Sequence, residues 1–227
     1  MAILRGGLFG QVSGKIGDFT IRNVNGKTIV ASRPKNFKKS NSPKSIEGRQ
    51  KFTVNSSFTK AVTGFPVLYQ IWELNKKKAT TPRSAIFMAN YNLSSAQAPT
   101  INNIITPYSF FKPVEDITIA GEEVKGLLAK MDELITLNVN EKVLSINILL
   151  CLFGSKNENN PYYDFIALSK EIEGFDFSKQ YDFEIGLDQE NSDLIEKYDQ
   201  KIIYAAIASK TTAGKIIHYS STYSKLS

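Results

Sequence analysis

The chain is poor in the side chains that enzymes most often use for catalysis or metal binding. Its 227 residues include one cysteine, Cys151, and one histidine, His218. A single cysteine cannot form an internal disulfide, so nothing in the sequence requires an oxidising compartment. One Cys and one His are also too few for an ordinary zinc site. These absences exclude a fold built on disulfides or structural zinc.

Long hydrophobic runs are also missing. No stretch approaches the roughly 20 apolar residues of a membrane-spanning helix. The longest apolar run, VLSINILLCLF at 143–153, is too short for that and is typical of a buried strand. The opening residues lack the apolar core of a signal peptide. We therefore expect a protein that is made and folded in the cytoplasm, with no membrane span.

Acidic residues are scarce in the first half of the chain. Residues 1–112 contain 17 Lys and Arg against three acids, Asp18, Glu47 and Glu73, which gives a net charge of +14. Residues 113–227 contain 11 Lys against 19 acids, a net charge of −8. Such asymmetry is typical of two modules that face different environments. It predicts a basic N-terminal region, 1–112, and an acidic domain, 113–227.

The basic region begins with a Gly-rich arm and contains one clear hairpin signal. Asn25-Gly26 separates the strand-like runs FTIRNV and KTIVASR, and this dipeptide favours a two-residue type I′ turn. We predict a hairpin over 19–33 and a basic linker over 34–42. Ser42-Pro43 and Thr81-Pro82 are helix-start signals, and PVLYQIWELN contains a further helical run. These signals predict a cluster of short helices between about 43 and 95.

The acidic half has the pattern of an all-β domain. Short β-rich runs recur between turn-forming segments such as GSKNENNP and TTAG, which predicts six or seven strands. This spacing favours an antiparallel β-sandwich of the immunoglobulin or fibronectin type. The run KIIYAAIASK lacks clean alternation, so we expect a central strand that is covered on both faces. The whole chain is thus predicted to be α+β.

The segment SGKIGDFTIRNVNGKTIVASRPKNFKKSNSPKSIEGRQKF resembles an uncharacterised domain family of Gram-negative bacteria and their mobile elements. That family has a similar order of GKxG, Arg, Pro, a Pro-started helix and Gln, Arg and Phe within it. The closing segment IIYAAIASKTTAGKIIHYSSTY resembles the last strands of the family. This chain departs from the pattern at NSPKS, where the family tends to have Arg after Pro. The resemblance implies the same architecture, no established activity and a structural or particle-associated role.

Candidate catalytic groups are few. We expect His218 to be a structural or surface imidazole and Cys151, between Leu150 and Leu152, to be a buried thiol. A Cys151–His218 pair is the formal alternative. Acids such as Asp188, Glu190 and Asp193 are spaced as calcium ligands could be, but the EF-hand order is missing and we interpret them as a solvated face. We therefore expect no enzyme, no catalytic residues, no metal, no cofactor and no small-molecule substrate.

The function that these patterns favour is a structural or assembly role. We expect a component of a virion (a phage, for example) or a similar particle, cytoplasmic at synthesis and particle-bound thereafter. It would be a homo- or hetero-oligomer whose basic arm docks on a neighbouring subunit or on packaged nucleic acid. The alternative is a basic nucleic-acid-binding module, and an uncharacterised enzyme is the outsider. The predicted interaction residues are Arg22, Lys27, Arg33, Lys35, Lys38, Lys39, Lys44 and Arg49.

Overall fold

The computed structural model describes residues 2–4, 13–24, 26–33, 39–76, 79, 81–157 and 161–227. Its contacts divide the chain into two compact units, Met1–Ser42 and Pro43–Ser227. Helices and antiparallel strands occur together, so the α+β class is confirmed.

The first unit is a four-stranded antiparallel sheet. Its strands are β1 (Ala2–Leu4), β2 (Gly14–Ile16), β3 (Phe19–Val24) and β4 (Lys27–Ser32), in the spatial order β1-β4-β3-β2. Strands β3 and β4 pair from Phe19–Ser32 to Val24–Lys27, as a hairpin at Asn25-Gly26 requires. Gly26 has a φ of 74°, a left-handed conformation that glycine adopts without strain. Asn25 lies outside the described residues.

Three helices open the second unit, and each begins at a proline. They are α1 (Pro43–Thr63), α2 (Pro66–Asn75) and α3 (Pro82–Asn90). Proline suits the first helical position because its missing N–H would have no intrahelical partner there. At α3 the Thr81 side chain also caps the helix by accepting a hydrogen bond from the Ser84 N–H.

The centre of the second unit is a five-stranded antiparallel sheet. Its strands are β7 (Glu141–Ser155), β8 (Tyr163–Glu173), β10 (Tyr198–Thr211), β11 (Ile216–Tyr219) and β12 (Tyr223–Leu226). The order is β11-β10-β7-β8, and β12 also pairs with β10. Residues 202–210 of β10 are all buried. The prediction of a central strand covered on both faces is therefore confirmed.

Each face of this sheet carries a separate apolar core, because successive side chains of a strand point to opposite faces. Ile148, Leu150 and Leu152 lie in core 1, together with Ile117 and Phe183 of a second sheet. The intervening Leu149 and Cys151 lie in core 2, together with helix residues that include Phe58, Leu68 and Ile86. The run 143–153 is thus apolar at nearly every position because both of its faces are covered.

The second sheet, called here the outer sheet, has three antiparallel strands. They are β5 (Val114–Ala120), β6 (Glu123–Leu128) and β9 (Tyr181–Gly186), in the order β5-β6-β9. A short helix, α4 (Gln189–Glu196), connects β9 to β10. The second unit therefore has three layers: the helices, the five-stranded sheet and the outer sheet.

The compact units differ from the domains that the charge pattern predicts. The charge changes at 112/113, whereas the contacts divide the chain at 42/43. The reason is core 2, which joins the basic helices to the strands of the acidic half. A change in surface charge need not mark the end of a hydrophobic core.

Two local features also differ from the sequence pattern. The run LITLNV, at 134–139, is one of the β-rich runs of the acidic half and its pattern predicts a strand, but the chain turns there: the N–H groups of Leu134 and Ile135 both donate to the Met131 carbonyl. Helix α4 was not predicted, because its sequence, QENSDLIE, has few apolar residues to reveal a helical period.

Candidate functional site

The sheet of the first unit has two chemically different faces. The strand register puts Ile16, Phe19, Ile21 and Val30 on one face. Residues Lys15, Arg22 and Lys27 lie on the other. Within 13–24, 26–33 and 39–42, no side chain is buried, and Ile16 and Phe19 are each more than half exposed. The first face is thus the more apolar and the second the more basic, although Val24 and Ile29 also lie on the second; neither face has a buried side chain in the described ranges.

Six of the predicted interaction residues lie within the described part of the chain. Arg22, Lys27, Arg33 and Lys39 belong to the first unit, and Lys44 and Arg49 lie on α1; all six are exposed. Lys35 and Lys38 lie outside the described residues. The structure brings Arg22 and Lys27 to the same face of the N-terminal sheet, with Lys15, which the sequence analysis did not select.

Charge in the second unit is separated by layer. The helix layer, residues 43–95, contains eight Lys and Arg against two Glu. The segments that build the outer sheet and α4, 113–135 and 174–197, contain 13 acids against four Lys. These two layers cover opposite faces of the five-stranded sheet, through core 2 and core 1. One side of the unit is therefore basic and the opposite side is acidic.

Some outer-sheet carboxylates are neutralised locally. The Lys125 ammonium lies 2.8 Å from Glu184 and 3.0 Å from Glu123, and these hydrogen bonds raise its pKa. Asp116 lies 2.6 Å from Lys225, whose hydrogen bond lowers the pKa of this carboxyl group. The 13 acids of these segments still outnumber their four Lys, so the outer layer is strongly negative.

An aromatic patch lies where α1 meets α3, with Phe52 exposed and Phe87 and Tyr91 half-buried; none of the three is among the predicted interaction residues. The rings of Phe52 and Phe87 are 5.0 Å apart, and Phe87 stacks on Tyr91 at 5.7 Å. The Lys51 ammonium lies 5.4 Å from the centre of the Tyr91 ring. Phe52 is 56% exposed and Met88 66%. The signal in the sequence is an (i, i+4) aromatic pair, Phe87 and Tyr91, at the end of a helix.

Three polar side chains that are distant in the sequence meet at one end of the five-stranded sheet. The Ser209 hydroxyl donates to Oε2 of Glu141, and Nδ1 of His218 lies 3.1 Å from the same oxygen. The Asn138 N–H donates to Glu141 Oε1 at 2.6 Å. Burial acts to raise the pKa of Glu141, but these hydrogen bonds outweigh it and the pKa is lowered. We call this group the Glu141 cluster.

The order of these groups differs from that of a serine nucleophile and its base. In such a site the serine hydroxyl donates to the imidazole, and the carboxylate contacts the far side of the ring. Here the carboxylate of Glu141 lies between Ser209 and His218, and Ser209 is fully buried. The arrangement instead joins the start of β7 to the β10–β11 hairpin.

The Cys151–His218 pair, the formal alternative, does not form. Cys151 lies opposite Ile202 on β10, whereas His218 lies opposite Ser209. Seven residues along a strand correspond to about 23 Å. Burial also raises the pKa of the Cys151 thiol, which keeps it in its unreactive protonated form.

Of the acids considered as calcium ligands, Asp188 precedes helix α4 as its N-cap, and Glu190 and Asp193 lie on the helix. Asp188 caps the helix by accepting a hydrogen bond from the Asn191 N–H, and Asp193 accepts one from Gln189. In the described ranges, no group of three or more His, Cys, Asp and Glu is arranged to hold a metal ion.

No protein-family model, curated protein or solved structure matches this chain. The resemblance of residues 13–52 to an uncharacterised family is therefore not supported by a family match. Among the helices of the part of the chain that the structure describes, none combines the length and the hydropathy that crossing a bilayer requires.

Proposed function

We propose that this protein is a non-enzymatic assembly protein whose copies associate head to tail through oppositely charged surfaces. The observation that carries the proposal is the separation of charge: a basic N-terminal unit and helix layer, and an acidic outer layer. Complementary charge steers association and fixes the relative orientation of two partners. A contact between two different surfaces is heterologous, and repeated heterologous contacts build rings or filaments.

The N-terminal sheet is the element that docks in this proposal. Its basic face, with Lys15, Arg22 and Lys27, would approach the acidic outer layer of a neighbouring copy. Its apolar face supplies surface that can be removed from water, at about 25 cal/mol per Å². The described residues of this sheet include no buried side chain, so the burial of its apolar face against a partner would also stabilise it. The particle would be a virion or a similar multi-subunit assembly.

We infer further that the two packed sheets form a sandwich of the immunoglobulin or fibronectin type. If β5 to β11 are lettered A, B, C, C′, E, F and G, the sheets are ABE and GFCC′. The constant-type immunoglobulin arrangement is ABED and CFG. The difference is that the fourth strand pairs with C instead of E. The helix layer and β12 are additions to that plan.

Light scattering after size-exclusion chromatography tests the assembly. At about 0.1 M salt the Debye length is near 10 Å, and at about 1 M it falls to about 3 Å. We expect a multimer at low salt that dissociates at high salt. The double variant Arg22→Glu, Lys27→Glu reverses charge on the basic face and should lower the fraction of multimer at low salt. The control is the double variant Lys142→Glu, Lys215→Glu, which reverses charge at exposed lysines elsewhere and should leave that fraction unchanged. A monomer under every condition would contradict the proposal.

A nucleic-acid-binding module is the second candidate, and the aromatic patch at α1 and α3 favours it. The exposed ring of Phe52 could stack a base, and the Lys51 ammonium beside it on α1 could contact a phosphate. Titration of a labelled single-stranded oligonucleotide at both salt concentrations distinguishes the two functions. Binding by a monomer, with a steep salt dependence and a loss in Phe52→Ala but not in Leu74→Ala, would replace assembly as the proposed function.

A further inference from the structure

A groove runs between helix α1 and the edge strand β8 of the five-stranded sheet. Its volume is about 700 Å³. Ala61 and Gly64 form its helix side, and Leu149, Phe165 and Ala167 form its floor. These small helix residues leave the space open, so that Ala167 is exposed although it lies on the helix-covered face of the sheet.

The strand beside this groove has one unpaired side. Among the described residues, β8 pairs only with β7, and it lies at the end of the strand order. An edge strand directs every second N–H and C=O group away from its neighbour. Farther along β8, Lys170 donates to the Glu184 carbonyl of the outer sheet at 2.9 Å, which covers part of that edge. From Tyr163 to Ser169 the edge lies along the groove; there the Phe165 N–H already donates to Oδ1 of Asp164 at 2.8 Å, and an added strand would have to replace that bond.

We propose that this groove binds an extended polypeptide segment of a partner chain, which adds to β8 as a further strand. The backbone of such a segment would pair with the free edge of Tyr163–Ser169, and its alternate side chains would point into the space beside Ala61 and Gly64. The residues of the floor select apolar side chains at those positions. An added strand lies about 4.8 Å from β8, beside the groove that residues of α1 and β8 line together.

Charge complementarity defines the partner further. Lys60 and Asp164 line the groove, and the structure gives neither of them an ion pair with another described residue. One positive and one negative group do not form a phosphate-binding surface, which needs several cations. They suit a peptide with an acidic residue opposite Lys60 and a basic residue opposite Asp164. This site differs from the docking contact of the proposed assembly, in which the N-terminal sheet approaches the acidic outer layer; the helix layer contributes only its positive charge to that assembly.

The experiment selects binders from a library of random linear peptides of about ten residues, the upper length of ordinary strands. The full-length protein is the target, and fluorescence anisotropy measures the affinity of each selected peptide. Ala167→Trp fills the groove without changing the backbone. Thr118→Trp places the same side chain at an exposed position of the outer sheet and is the matched control. Circular dichroism melts check that both variants fold, and Ala167→Lys replaces Ala167→Trp if the latter does not.

We expect selected peptides to carry apolar residues at alternate positions and to bind Ala167→Trp at least about tenfold more weakly, with Thr118→Trp unchanged. N-methylation of alternate peptide amides should abolish binding, because an added strand needs those N–H groups. Hydrogen exchange at residues 163–169 should slow when the peptide is bound. Selection of no peptide, equal affinity for Ala167→Trp, or binding that survives N-methylation at every position would each overturn the proposal.

Discussion

Oε2 of Glu141 lies 3.1 Å from Nδ1 of His218, although 77 residues separate the two in the chain. The Glu141 side chain is fully buried, and Ser209 and the Asn138 N–H donate to its two oxygens. A buried carboxylate is tolerated only when such donors satisfy it. The Glu141 cluster therefore links β7 to the β10–β11 hairpin at one end of the five-stranded sheet. The stability of the protein should fall if Glu141 loses one of its two hydrogen-bond acceptors.

We predict that Glu141→Gln lowers the free energy of unfolding by about 1–3 kcal/mol, because the amide nitrogen cannot accept the hydrogen bonds that the carboxylate accepts. Urea unfolding at neutral pH measures the change. Glu122→Gln, at an exposed turn of the outer sheet, is the control and should have little effect. A neutral Glu141→Gln variant would mean that the cluster does not contribute to stability.

The pH dependence should follow from the lowered pKa of Glu141. Its ordinary pKa is 4.5 and the folded value is lower, so the ionised form stabilises the folded state above pH 4.5. That contribution is lost as the pH falls below 4.5 and through the folded-state pKa. Between about pH 5 and pH 3 the wild-type protein should lose more stability than Glu141→Gln does. If the free energy of unfolding fell equally with pH in the two proteins, Glu141 would not be the group responsible for the loss.

Gly126 makes room for a buried aromatic ring. It lies on β6 opposite Phe183 of β9, and an added Cβ would overlap Cζ of that ring. The ring is 1% exposed and cannot swing into solvent. We predict that Gly126→Ala lowers the free energy of unfolding by about 1–3 kcal/mol through overpacking. Thermal and denaturant unfolding measure the loss.

A second substitution separates this clash from any general cost of alanine. Phe183→Leu shortens the side chain that meets the new methyl group, so its cost should be smaller in the Gly126→Ala background than alone. Gly186→Ala is the matched control, because a Cβ there would meet no atom within 4 Å. Additive effects of Gly126→Ala and Phe183→Leu would show that the two residues do not compete for space.

Features with a local signal were the ones that the sequence predicted well. The helix starts at Pro43 and Pro82 and the turn at Gly26 depend on residues that are adjacent in the chain. The burial of β10 on both faces was readable from the apolar residues in KIIYAAIASK. In each case the determining residues lie within one short window.

Features that depend on long-range contacts were not predictable. Glu141 and His218 meet because β10 pairs with both β7 and β11, and no local pattern reports that pairing. The α1–α3 aromatic patch likewise needs the crossing of two helices. The charge changes at 112/113 and the contacts divide the chain at 42/43, because charge reports the surface whereas core 2 is apolar; an independent domain over 113–227 stays a prediction.

Cys151 should be inert while the protein is folded. Its side chain is fully buried in core 2, and burial raises the pKa of the thiol, so almost no thiolate is available to react. We predict no reaction with a thiol reagent under native conditions and full reaction in denaturant. Lys142→Cys in a Cys151→Ala background supplies an exposed thiol on the same strand as the control. Rapid native labelling of Cys151 would contradict its burial.

The last prediction concerns the helix layer. A fragment of residues 43–227 should unfold in one cooperative step, because core 2 joins the helices to the five-stranded sheet. Trp72, whose indole N–H donates to the Ile105 carbonyl at 2.8 Å, reports the helix layer by fluorescence. Far-UV circular dichroism reports the whole fragment. The two transitions should coincide.

Removing the helices should have the opposite effect. A fragment of residues 113–227 would expose Leu149, Ile202 and Tyr204, which are at most 2% exposed in the complete chain. An uncovered apolar face of that size favours self-association, so we expect dye binding, aggregation and no sharp melt. A monomeric 113–227 fragment with a cooperative transition would instead support an independent acidic domain. It would also make the helices an accessory layer, since core 2 would then not be needed for the sheets to fold.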